Sequence, residues 1–193
     1  MEKDGLRNVS KCVVIGGSAG SLKVLMGILP NLAESLNFPI IIILHRKNDR
    51  RSSLETLLNN SCSLLVKEAE DKESLRNGVI YVAPPDYHLL IERDHSLSLD
   101  ASEKVIWSRP SIDVTFQSAS EVYQKHLMGV LLSGANNDGT LGLQKIKESG
   151  GKIIIQDPED ADMPVMPQLA LDKVKPDYLL KARDIAAVIN KFK

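Results

Sequence analysis

The chain has 193 residues, enough for one domain with a sizeable core. Lysine and arginine total 24 and aspartate and glutamate 25, a net charge of -1 that argues against nucleic acid as a main partner, because phosphate binding needs a basic excess. With 43% hydrophobic residues and no apolar run near the ~20 residues that span a bilayer, the composition is that of a globular chain with no membrane insertion.

Met1 to Lys11 is charged and lacks the apolar stretch of a signal peptide. Cys12 opens an apolar run, where a buried thiol is expected, and Cys62 shares no pattern with it. Two such cysteines without a leader suggest a reducing cytoplasm. No Cys/His spacing suggests a metal site, and none is expected.

In chain order, Cys12–Ile15 is a first strand-length run. Leu22, Leu25, Met26, Leu29, Leu32 and Leu36 then recur at helical spacing. Pro39–Leu44 is mostly isoleucine, too short for a helix and β-branched, and predicts a strand. A short helix is expected over Ser52–Leu58, and strands over Leu64–Val66 and Val79–Ala83. His88–Glu92 and Ser96–Leu99 predict a hairpin turning at Arg93–His95. Ile112, Phe116, Ala119, Val122 and Tyr123 mark a helix, and Leu127–Leu132 a buried strand beginning near His126. Thr140–Glu148 reads as a helix closed by Gly150 and Gly151. Ile153–Ile155 is another strand, and Ile185, Val188, Ile189 and Phe192 mark a last helix. Strands alternating with helices imply an α/β fold, a mostly parallel sheet with helices on both faces and one β-hairpin. Functional groups then belong at the carboxyl ends of the strands.

Three polar clusters stand at such ends. Gly16-Gly17-Ser18-Ala19-Gly20-Ser21 fits G-x-S-x-G, a sharp turn that lifts a serine off the sheet and points amides at a developing oxyanion. A phosphate loop or a plain turn competes with this reading. No Lys-Ser/Thr follows for a Walker A loop, and the glycines do not fit G-x-G-x-x-G. His45 directly follows Ile40–Leu44 and can act as a base; without a partner, the reading as a surface histidine at a strand end prevails. Asp138 lies in Ser133-Gly134-Ala135-Asn136-Asn137-Asp138-Gly139, where it can orient an imidazole or cap the next helix. Their placement at one sheet edge unites them as a candidate triad. The order Ser…His…Asp differs from the Ser…Asp/Glu…His order of the α/β-hydrolases.

Further segments are Tyr81-Val82-Ala83-Pro84-Pro85 with His88, Arg109-Pro110-Ser111-Ile112-Asp113, and Gln156-Asp157 followed by Met166-Pro167. With the three clusters, and in this order from Cys12 to about Leu180, the chain resembles the catalytic domain of the chemotaxis protein-glutamate methylesterases. The resemblance implies a parallel α/β domain without metal or organic cofactor. It implies Ser18 as nucleophile, His45 as general base and Asp138 as orienting acid, with backbone amides near Ala19 and at Ala135 as the oxyanion hole. The implied reaction is hydrolysis of glutamate γ-methyl esters on methyl-accepting receptors, with glutamine deamidation at the same sites in some members. A separate methyltransferase or response regulator is an implied partner.

Several positions depart from the regulated enzymes. Ala19 stands for a usual threonine, Ser21 for a glycine, Leu44 and Arg46 flank the histidine differently, and Ala135-Asn136 replaces Met-Gly. Those enzymes also carry a phosphate-accepting receiver domain. Only Met1 to Lys11 precede the first strand here, so one methylesterase domain over residues 1–193, without a receiver, is expected. Arg46, Arg50 and Arg51 beside His45 are candidates for docking an acidic substrate, or simply a solvated loop. Two other functions remain open: a catalytically silent scaffold binding receptors or a methyltransferase, and an esterase or deamidase acting on another signalling protein. His88, His95 and His126 are assigned no catalytic role.

Overall fold

The computed structural model describes residues 9–46 and 54–192. Seven strands form one sheet: β1 (Cys12–Gly17), β2 (Ile40–Leu44), β3 (Leu65–Glu68), β4 (Val79–Val82), β7 (Leu127–Leu131), β8 (Lys152–Gln156) and β9 (Tyr178–Leu180). Their order is β3-β4-β2-β1-β7-β8-β9, and every pairing is parallel. A separate antiparallel hairpin joins β5 (His88–Ile91) to β6 (Leu97–Asp100). Six helices complete the fold: α1 (Ser21–Ile28), α2 (Leu54–Asn59), α3 (Ile112–Tyr123), α4 (Thr140–Glu148), α5 (Val165–Leu171) and α6 (Ala182–Asn190).

The unbroken apolar strands need cover on both sides, and they have it. Val14, Ile41, Ile43, Tyr81, Leu131 and Ile155 face one core, shared with Phe116 of α3, Leu143 of α4, Met166 of α5 and the hairpin. Their neighbours Val13, Ile15, Ile42, Val130 and Ile154 face the other, shared with Leu25 of α1, Leu58 of α2 and Ile185 of α6. Successive strand residues point to opposite faces, so one run of isoleucines supplies both cores.

The sequence-based expectations need four adjustments. The leucine pattern from Leu22 to Leu36 is not one helix. α1 stops at Ile28, and Leu29–Asn31 forms a single 3-10 turn. Pro30 has no N–H for the α-helical ladder, yet Leu32 and Leu36 still reach the core. His126 lies in a 3-10 turn ahead of β7 rather than at the strand's start. Helix α5 and strand β9 carried no expectation: α5 has only seven residues and β9 only three. The helix α2 begins at Leu54; the expected start at Ser52 falls outside the described residues.

β1 is the hinge of the topology. The chain runs from β1 to β2 on one side, then returns past β4 and the hairpin to lay β7 on the other. Such a reversal leaves a crevice at the carboxyl ends of the adjoining strands. The strands that border it are β1, β2 and β7, which are the three followed by the polar clusters.

Candidate active site

Ser18 leaves β1 one residue past the Gly17–Leu44 register pair, and His45 leaves β2 at the same level. The His45 amide donates to the Gly17 carbonyl at 3.2 Å, and the Ser18 amide to the Ser133 carbonyl at 2.9 Å. Sheet hydrogen bonding thus continues past the strands and holds all three loops together. Gly20 makes the turn into α1 with φ 83°, a left-handed conformation, and a Cβ there would meet Ser133 Oγ at 2.6 Å.

Asp138 is fully buried. Its Oδ2 accepts from His45 Nε2 at 2.8 Å and from the Ile112 amide at 2.8 Å. Its Oδ1 accepts from Ser111 Oγ and the Asp113 amide, each at 2.9 Å. Both amides belong to the first turn of α3, where unpaired N–H groups and the helix dipole favour a carboxylate. Burial pushes the Asp138 carboxyl up, but the His45 bond and the Asp113 and Ile112 amides outweigh it, and the group is held below the ordinary carboxylate range. An ionised Asp138 has no proton to give, so His45 Nε2 carries the hydrogen and Nδ1 the lone pair.

Asp113 returns the contact. Its Oδ1 accepts from the Gly142 amide in the first turn of α4 at 2.7 Å. The two helices exchange caps: Asp138, just before α4, serves α3, and Asp113, inside α3, serves α4. Glycine at the α4 cap position makes a cap from another element necessary, since Gly139 has no side chain to supply one. Asp113 Oδ2 is buried without a partner. Burial, opposed by the Gly142 amide but reinforced by the charge on Asp138, pushes its carboxyl up to about 6.

The structure brings Ser18, His45 and Asp138 to one edge but bonds only the last two. Among the described residues no hydrogen bond joins Ser18 Oγ to His45. His45 Nδ1 instead lies 3.3 Å from Ser108 Oγ. The Ala19 and Ala135 amides are without protein partners among the described residues, whereas Ser18's own amide is taken by Ser133. Arg46 is half-buried and pairs with Glu68, so its charge is already matched. Arg50 and Arg51 lie outside the described residues.

A cavity of about 390 Å³ opens beside His45, lined by Arg46, Asp86, Lys104, Trp107, Ser108 and Arg109. The remaining recognised segments hold the site in place. The His88 ring accepts from the Ser111 amide at 3.1 Å and bonds the Glu103 carbonyl at 2.9 Å, which anchors the approach to α3. Gln156 accepts from the Ser133 amide at 2.9 Å, and Met166 packs where a Gly134 side chain would stand. Ser133 Oγ donates to the Ala19 carbonyl at 2.7 Å and ties the serine loop to the aspartate loop. Ser108, Ser111 and Trp107 were not singled out by sequence. Ser111 lies inside a recognised segment, but a serine immediately ahead of a helix reads only as a cap. Among the described residues there is no group of three or more potential metal ligands.

A doubly covered parallel sheet with an acid-held histidine at its carboxyl edge defines an α/β protein with a candidate general base in its crevice. The chain belongs to the CheB methylesterase family, whose model matches residues 13–189. A relative from Leptospira interrogans is 46% identical over 176 residues, covering 91% of each chain. The protein-glutamate methylesterase/protein-glutamine glutaminase of Thermotoga maritima is 36% identical over 178 residues, which are 91% of this chain and 52% of that protein. This chain spans about half the length of that relative. The crystal structure of the Thermotoga maritima CheB methylesterase catalytic domain has a TM-score of 0.91 at 35% identity, covering 95% of this chain and 99% of that one. The family membership makes this chain an ester hydrolase.

Proposed function

We propose that the chain hydrolyses glutamate γ-methyl esters on chemotaxis receptors, with Ser18 as nucleophile, His45 as general base and Asp138 as orienting acid. The observation that carries the reading is the 2.8 Å bond from His45 Nε2 to a buried, helix-held Asp138. It leaves Nδ1 as the basic nitrogen at the level where Ser18 leaves the sheet.

His45 Nδ1 takes the Ser18 proton as Oγ attacks the ester carbonyl. The Ala19 and Ala135 amides, which have no partners among the described residues, receive the oxyanion. The imidazolium, stabilised by Asp138, protonates the departing methoxide and methanol leaves. Water then adds to the acyl-serine by the same route and releases glutamate. The same steps on a glutamine side chain release ammonia, which accounts for both activities in the Thermotoga relative's name. Deamidation by this chain is part of the proposal.

Trp107, 92% exposed, and the exposed Lys104 stand at the cavity mouth. Lys104 has no ion-pair partner among the described residues, so it is better suited than Arg46 to meet an acidic receptor segment. We assign the reaction to the cytoplasm, consistent with Cys12 and Cys62 remaining free thiols. No described helix is long and apolar enough to cross a membrane.

The test is methanol release from a methylated receptor. Ser18→Ala should remove activity by about a millionfold on the serine-protease precedent while leaving the fold intact. Undiminished release by folded Ser18→Ala would refute the nucleophile assignment.

A further inference from the structure

A neutral imidazole has one lone-pair nitrogen. In His45, Nε2 is committed to Asp138 at 2.8 Å, so only Nδ1 can take a proton from a nucleophile. Ser108 Oγ stands 3.3 Å from that atom, and a hydroxyl beside a lone pair donates into it. Ser18 and Ser108 therefore compete for one acceptor.

The backbone holds Ser108 there. Val105 and Ser108 exchange hydrogen bonds, the Val105 amide to Ser108 O at 3.1 Å and the Ser108 amide to Val105 O at 2.9 Å. The two residues between them are left-handed, Ile106 at φ 48° and Trp107 at φ 65°. This backbone is ordinarily supplied by asparagine and glycine, and for a β-branched isoleucine it is strained. Strain of this kind persists where surrounding structure holds it, often at functional sites. The turn sets the hydroxyl against the base and projects Trp107 into solvent.

Resting on the reading of Ser18 as nucleophile, we infer that Ser108 is a positioning residue for His45: its hydroxyl steadies the imidazole and withholds Nδ1 from Ser18 until acylation. Ser108 is the poorer nucleophile of the two. Ser18 is joined through its amide to the loop that carries the unpartnered Ala135 amide, whereas the amide of Ser108 is consumed within its own turn. At 3.3 Å the bond is long for a hydroxyl donor, so it yields readily.

The experiment is labelling by a sulfonyl fluoride, with the adduct located by peptide mass and its rate followed across pH. Breaking one such hydrogen bond should let Ser108→Ala react at Ser18 about 3- to 5-fold faster than wild type near neutrality. The hydroxyl donates to the neutral ring and accepts from the imidazolium, so its loss should also displace the acid limb of the profile. Among the described residues, the charged groups facing His45 are Asp138 at Nε2, Arg46, Asp86, Lys104 and Arg109 around the cavity, and Asp113 behind Asp138. All are retained in every variant, so the displacement reports Ser108 alone. Ser108→Thr should restore the wild-type rate and profile. Ser108→Val, equal to threonine in volume, should behave as Ser108→Ala and guards against a packing artefact.

An adduct on Ser18 with rate and profile unchanged or slowed in Ser108→Ala and Ser108→Val would overturn this inference and leave the nucleophile assignment standing. An adduct on Ser108 in the wild type, lost in Ser108→Ala, would overturn both.

Discussion

His45 depends on Asp138 for its tautomer, and the same carboxylate serves the α3 amides. Asp138→Asn cannot satisfy both. If the amide nitrogen takes the Oδ2 position, it faces the Ile112 N–H and forces His45 Nε2 to accept. Nδ1 then carries the proton and can no longer take one from Ser18. We expect kcat for methanol release to fall by about 10⁴-fold, the loss known for the same change in a serine-protease triad. The displaced Ile112 amide should cost about 1–3 kcal/mol, read from urea unfolding. A small loss of activity would mean that Asp138 acts chiefly as a cap. Sequence offered Asp138 as an orienting acid or as a cap for the next helix; in the structure its carboxylate bonds His45 and the amides of α3, and α4 takes its cap from Asp113 instead.

At the scale of elements, α3 and α4 are locked by exchanged carboxylates and by close packing. A Cβ on Gly142 would stand 2.4 Å from Phe116 Cβ. Alanine in an exposed helix is favoured over glycine by about 1 kcal/mol. Overpacking at such a contact costs about 1–3 kcal/mol, and here the neighbour is a Cβ close to the backbone, with little freedom to move. Gly142→Ala should therefore destabilise the protein by up to about 2 kcal/mol net, shown by a lower urea midpoint. It should also disturb the cap at the Gly142 amide and lower activity through Asp113 and Asp138. A midpoint at or above wild type would show that the helices can separate without cost.

The long periodic helices and the β-branched strands were legible because local pattern suffices for them. Helix α5 was not. Its short segment, Val165–Leu171, exposes Val165 and Leu169 and buries Met166 and Ala170, which leaves too few turns for a period to register. Its role, packing Met166 against Gly134, depends on a contact 32 residues distant that only folding creates. The Val105–Ser108 turn was hidden for the opposite reason: Ile-Trp is a poor signal for a left-handed turn, and nothing local marks it.

For the whole molecule, the two buried carboxylates give pH dependences of opposite sign. Asp113 titrates near 6 when folded and at the ordinary carboxyl value when unfolded. Between those limits the folded protein binds more protons, so stability falls as pH rises through the window and levels above about 6. Asp138 is lowered on folding, so its contribution is present above the ordinary value and is lost as pH falls through its folded range. Asp113→Asn keeps an acceptor for the Gly142 amide and removes the first titration. Relative to wild type it should gain on the order of 1–3 kcal/mol on going from pH 4 to 7, in paired urea titrations. An identical pH slope in the two proteins would show that Asp113 does not carry the expected proton.

Sequence by itself determined the layers of this protein. Runs such as Ile40–Leu44 are apolar at every position and must be covered on both faces, and three such runs end in serine, histidine and aspartate clusters. The motif resemblance then supplied the chemistry expected of them. Tertiary structure decided which strands are neighbours, and so that Ser18 and His45 leave the sheet at one level. It also decided which nitrogen of His45 meets Asp138, that Asp113 and Asp138 exchange helix caps, and that Ser108 stands at Nδ1. These are contacts between segments tens of residues apart, set by strand order and helix packing, and no local pattern encodes them.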